Sequence, residues 1–196
     1  MNMTSISQNE LLTGVRKAAV GAGFDYGVGE EIASAAVWLA ERGLDGLGCA
    51  LAAMRTDEAR DAALKALSLV DLFFAEAGPA DRTVSVPGHP LLFLGFLGIA
   101  SQRLRRSLSV SGDGCREIFP CGLEGVLGRL SENSSFVLSH RQSEAVHREA
   151  KGLVDPPYSV STDLVAEAAL FASRSYVAAT SASRALGAGG GTTDND

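Results

Sequence analysis

Apolar positions recur with a helical period through the first 78 residues of this chain. Leu11, Leu12, Val15, Ala18 and Ala19 fall on one stripe, and Gly21 and Gly23 interrupt it. Ser7 followed three residues later by Glu10 is a capping-box pair, each side chain able to hold a free amide at the helix start. A second helix is expected over 28–42, with Val28, Ile32, Ala35 and Leu39 inward, Glu30, Glu31 and Glu41 in water, and Gly43 as its stop. After a short segment over 44–54, Thr56 can cap a third, longer helix. There Ala63, Leu67, Val70 and Phe74 share a face, and Gly78-Pro79 ends the run.

The pattern changes after Pro79. Thr83-Val84-Ser85-Val86 is a short β-branched stretch closed by Pro87-Gly88. Pro90 suits the first position of a helix carrying 91–104, although Gly95 and Gly98 weaken it. Ser107–Ser111 alternates as a half-buried strand, Gly112-Asp113-Gly114 turns, and Cys115–Phe119 returns as its hairpin partner. Phe136-Val137-Leu138 predicts a third strand. Pro156-Pro157 breaks the chain before a last helix over 162–176, with Leu164, Ala168 and Phe171 inward. Helices, then mostly strands, then a helix predict an α+β fold: a helical part over 1–78, a small mainly antiparallel sheet, and a C-terminal helix. One domain is expected over 1–186, followed by a glycine-rich acidic tail over 187–196.

Composition supports a folded chain. The 196 residues are 46% hydrophobic and 20% charged, and such a length buries roughly 70% of its unfolded surface without disulfides or metal. A net charge of −6 opposes nucleic-acid binding, which needs a basic field. There is no basic start followed by an apolar stretch, and the longest nearly apolar run, 91–100, is about half of what a spanning helix needs. A cytoplasmic protein without a membrane partner is the expectation.

Three stretches then stand out together: "AAVGAGFDYGVGEEIASAAVWLAERGLDG" (18–46), "HPLLFLGFLGIA" (89–100) and "RSYVAATSASRALGAGGGTTDND" (174–196). With them the chain resembles a bacterial family catalogued only as a domain of unknown function. The resemblance spans nearly the whole chain, and the closing segment is its most specific part. It implies no activity, cofactor or catalytic residue.

Candidate chemistry is sparse. Cys115 and Cys121 are separated by five residues, where structural zinc pairs are usually separated by about two to four. His89, His140 and His147 add no ligand spacing, so neither metal nor cofactor is expected, and packing is the expected role of the thiols. No Gly-x-Ser-x-Gly marks an exposed nucleophile. Arg103-Leu104-Arg105-Arg106 is the one basic cluster, and its expected role is to cover a helix end and complement its dipole.

The tail nearly spells a dinucleotide fingerprint, but Thr192 replaces the third glycine and only four residues remain for the helix that should follow. Its acidic end, Asp194 and Asp196, is instead expected to dock on arginines. The candidate residues are Arg174, Tyr176, Ser183 and Arg184, with Asp194 and Asp196 as the docking groups. Arginine forks suit carboxylates and phosphates alike. Two functions follow: a non-catalytic accessory protein that binds a protein partner or a second copy, or a small-molecule enzyme or ligand-binding protein with an anion site at Arg174, Tyr176 and Arg184.

Overall fold

A computed structural model describes residues 2–76, 81–112, 115–119, 130, 133–141 and 153–175. The chain starts with a short strand β1 (Met3–Ile6) and then the helices α1 (Gln8–Gly21), α2 (Tyr26–Ala40), α3 (Gly46–Ala52) and α4 (Asp57–Ala75). There follow β2 (Arg82–Pro87), α5 (Pro90–Leu104), β3 (Ser107–Gly112), β4 (Cys115–Phe119), β5 (Asn133–Arg141), β6 (Tyr158–Ser161) and α6 (Thr162–Ser173). The fold is α+β, with helices first and a helix last, as the periodicity predicts.

Local chemistry accounts for the helix starts. At α1 the Ser7 hydroxyl accepts from the Glu10 amide at 3.2 Å while the Glu10 carboxylate accepts from the Ser7 amide at 2.7 Å. These bonds hold the Glu10 carboxyl below its ordinary range. Thr56 caps α4 by accepting from the Ala59 amide, and Pro90 opens α5, where a missing N–H costs nothing. The second helix starts at Tyr26, earlier than its first apolar residue suggests, and stops at Ala40.

The core is centred on α2. Ile32, Ala33, Ala35, Ala36, Trp38 and Leu39 are all buried, because α1, α3 and α5 surround this helix. Its small residues let the neighbours come close. A side chain at Gly98 of α5 would run into the Trp38 ring, and one at Gly95 would crowd Ala35. The two glycines that weaken α5 as an isolated helix are therefore what allow it to lie against α2. On α4, Ala63, Val70 and Phe74 face inward as expected, Leu67 is half-buried, and Phe73 is more deeply buried than Phe74.

The larger sheet is antiparallel throughout, in the order β2-β5-β3-β4. The β3–β4 hairpin is the expected one, while β5 is longer than its three most apolar residues. The sheet reaches the helices through aromatic contacts: Phe93 of α5 stacks on Phe136 at 5.7 Å, and Phe73 of α4 stacks on His140 at 4.4 Å. A second sheet, absent from the periodicity reading, pairs β1 with β6, Met3 opposite Ser161 and Ile6 opposite Tyr158. It joins the two ends of the chain and brings α6 onto α1, where the Phe171 carbonyl sits over Gly21. Among the described residues no helix is long and apolar enough to cross a membrane.

Two glycines separate close approach from mere helix entropy. Gly98→Ala should destabilise the fold by about 1–3 kcal/mol through overpacking against Trp38. Gly14, where an added Cβ would meet nothing within 4 Å, should instead gain about 0.5–1 kcal/mol as alanine. Urea denaturation midpoints check both; equal shifts of the same sign would contradict the α2–α5 contact.

Candidate functional site

Of the residues singled out for docking, Arg174 alone is among the described residues. It is exposed at the C-cap of α6, its guanidinium 4.8 Å from the centre of the Phe171 ring. Tyr176, Ser183, Arg184, Asp194 and Asp196 lie outside the described residues, so the structure does not bring that set together. Cys121, His147 and the Cys115 side chain lie outside them as well.

The other flagged residues have structural partners. Half-buried His89 shares a hydrogen bond with the Ala59 carbonyl at 3.1 Å, and burial lowers its pKa. The arginines at the end of α5 reach neighbouring helices: Arg106 donates to the Phe74 carbonyl at 3.0 Å, and Arg103 pairs with Glu31. Cys49 is packed against the core, where burial foremost and then Asp45 push its thiol up to about 12. Such a thiol is a poor nucleophile at neutral pH.

What the structure brings together lies elsewhere. The C-terminal end of α2 is fixed by Arg42, whose nearly buried guanidinium lies 3.5 Å from the centre of the Trp38 ring and donates to the Trp38 carbonyl at 2.9 Å. The Val154 amide donates to the Glu41 carbonyl at 2.6 Å, tying the segment before β6 to the same point. Gly43, at a φ of 71°, then lets the chain turn sharply toward α3. Between this turn and the β1–β6 ribbon lies a pocket of about 390 Å³. Met3 and residues 158–161 form one wall, Ala40 and residues 43–47 the opposite one, and Leu11, Val154 and Leu164 complete the lining.

Two polar side chains in this lining are anomalous. Tyr158 is 4% exposed and Ser161 5%, yet neither hydroxyl has a hydrogen-bond partner among the described residues. Ser161 occupies the N-cap position of α6, where a serine ordinarily accepts from the first turn, but it makes no such bond. The start of α6 is held instead by Thr162, whose amide donates to the Asn2 carbonyl at 3.0 Å. A buried hydroxyl without a partner costs about 1–3 kcal/mol; both oxygens are closed off from solvent, and at positions i and i+3 of β6 the two side chains leave opposite faces of the strand. Burial first, then Glu41 and Asp155, raise the Tyr158 pKa, which keeps the phenol a proton donor.

Periodicity passes over both residues. Tyr158-Ser159-Val160-Ser161 alternates apolar and polar positions as a strand does, and that is the signal available. It spans only four residues beside a proline pair, and its partner strand lies at the far end of the chain.

Removing an unpartnered hydroxyl should not cost stability. Tyr158→Phe is expected to leave the denaturation midpoint unchanged or raise stability by up to about 1 kcal/mol. Ser161→Ala should cost less than the roughly 1 kcal/mol of an ordinary N-cap loss. A loss of about 2 kcal/mol for either would mean that the hydroxyl is bonded internally. Cys49, for its part, should resist iodoacetamide at pH 8 in the folded protein and react promptly in urea, as followed by peptide mass spectrometry. Prompt labelling without denaturant would contradict the raised pKa.

Residues 6–78, from the end of β1 through α4, match the family model described as Protein of unknown function (DUF3726). The match contains the first of the three stretches of resemblance, 18–46, and stops before the other two. No curated protein and no solved structure matches the chain. The match covers the helical part, which supplies α2 and the α2–α3 side of the pocket.

Proposed function

We propose that this is a cytoplasmic small-molecule-binding protein whose site is the pocket between the β1–β6 ribbon and the α2–α3 turn. The observation that carries the reading is the mainly apolar cavity itself, lined by Leu11, Leu44, Leu47, Val160 and Leu164. A pocket of about 390 Å³ lies within the range of small-molecule sites, and a few polar groups set in apolar walls are the usual way such sites orient a ligand. This shifts the ligand site away from the Arg174, Tyr176 and Arg184 cluster. Native mass spectrometry of the full chain, purified gently from its source cell, should detect a bound small molecule. Leu164→Trp, which fills the cavity, should abolish that adduct while the protein stays folded. An adduct equally abundant in the variant, or none in the natural protein, would overturn the reading.

A second reading, the accessory protein that docks on a partner, is favoured by the outer end of α6. Leu170 is 66% exposed there and Arg174 stands beside it, an apolar and a cationic group together just before the acidic tail. On this reading the tail contacts Arg174, Arg184 or a basic patch on the partner. Deleting residues 187–196 should then abolish co-purification of the partner and leave the melting temperature unchanged. Unaltered function of the truncated protein in its cell would show that the tail is dispensable.

A further inference from the structure

We propose that the pocket selects an organic cation, an amine with an apolar body, and that the acids around the cavity supply the preference. The inference rests on the pocket being a ligand site, and it adds the class of molecule the site accepts.

The body of the ligand follows from the walls. Leu11, Leu44, Leu47, Val160 and Leu164 offer hydrocarbon to whatever enters, and apolar area removed from water is the general source of such affinity. The sign of its charge follows from the surroundings. Asp45 is the one charged residue among the described residues of the lining. Its place is fixed, because its Oδ1 accepts from the Gly48 amide at 2.8 Å and Gly46 beside it is pressed against the Ala36 carbonyl. Asp155 and Asp163 adjoin the lining residues Val154 and Leu164 in the chain, and neither joins an ion pair among the described residues. The described cations nearby are committed to other acids: Arg42 lies 3.5 Å from Glu41, and Arg55 lies 2.9 Å from Glu167. Those pairs nearly cancel at a distance, and Asp45, Asp155 and Asp163 remain.

Helix ends modify this balance without reversing it. Both α3 and α6 begin beside the cavity, and a helix start carries roughly half a positive charge, whereas Asp45 and Asp163 each carry a full negative one. The end of α2 lies there too, with Ala40 in the lining and no basic residue in its last turn, so its dipole adds negative potential. Groups on both sides of the cavity register that potential. Burial is the larger cause at each, but Glu41 and Asp155 also raise the Tyr158 pKa, and Asp45 raises that of Cys49. A carboxylate or phosphate would enter against this field. An ammonium enters with it and needs no contact, since screening at physiological salt acts over about 8 Å. It can stay hydrated beside the exposed Asp45 while the hydrocarbon fills the cavity, so that no charge is buried unpaired.

The test uses the uniformly ¹⁵N-labelled full chain at pH 7 and three probes with one phenylethyl body: phenethylammonium, phenethyl alcohol and 3-phenylpropionate. Titrated phenethylammonium should produce saturable amide shifts at residues 158–161 and 43–47. In low salt it should bind at least about tenfold more tightly than 3-phenylpropionate, with the alcohol between them. Raising salt from about 20 mM to about 0.5 M should shrink that ratio to about threefold or less while leaving the alcohol unaffected. Asp45→Asn keeps an N-cap for α3, because asparagine caps as well as aspartate does, and should narrow the low-salt ratio by about threefold. Equal or tighter binding of 3-phenylpropionate in low salt would overturn the selection, and bound alcohol would show the site intact. A preference for the amine that neither salt nor a folded Asp45→Asn reduces would overturn its electrostatic origin. Silence toward all three probes would remove the pocket reading itself. The salt comparison is made on the unmodified protein and does not depend on the variant.

Discussion

The close approach of α5 to α2 is the contact on which the remaining structure depends. Gly95 and Gly98 leave the room that Ala35 and the Trp38 ring occupy, since a side chain at either position would crowd them. Because α2 is enclosed on several sides, its position sets those of α1 and α3 as well as α5. The sheet takes its place from the same helices, since Phe93 on α5 carries the stack onto Phe136. A bulky residue at position 98 would displace α5, and through it the sheet.

The pocket is a consequence of how α2 ends. Arg42 folds back on Trp38 and closes the helix end, and the chain turns through Gly43 into α3. Gly46 lies so close to the Ala36 carbonyl that no side chain would fit there. The turn is thereby pressed against α2, and the β1–β6 ribbon crosses beside it without filling the space between. The rest of the ribbon side is well bonded. Arg55 donates twice to Glu167, at 2.9 and 3.0 Å, tying the start of α4 to α6. This pairing holds the Glu167 carboxyl below its ordinary range. Against such satisfied polar groups, the two bare hydroxyls at Tyr158 and Ser161 are conspicuous.

Much of the helical part is legible from residue order. The Ser7–Glu10 box, the Thr56 cap and Pro90 at a helix start depend on neighbours within four residues, and each is where local chemistry puts it. The inward face of α4 is likewise local, since a 3.6-residue period needs no partner to be seen. The hairpin β3–β4 is legible because its strands are adjacent. By contrast, Gly95 and Gly98 argue against a helix until Trp38 is seen beside them. The four-residue strands β1 and β6 carry almost no signal alone and exist because they pair with each other.

The sequence by itself determined the α+β class, the caps, the stripes and the hairpin, because these follow from interactions between residues close in the chain. It also pointed to Arg174 and the acidic tail, a reading based on residue type alone. Only the tertiary structure decided that Met3 lies opposite Ser161, that the last helix packs on the first, and that a pocket opens where α2 stops. The physical reason is that burial and hydrogen-bond satisfaction are properties of assembled surroundings. A tyrosine or a serine written in a sequence carries no sign of whether its hydroxyl will meet water, a carbonyl, or no partner at all.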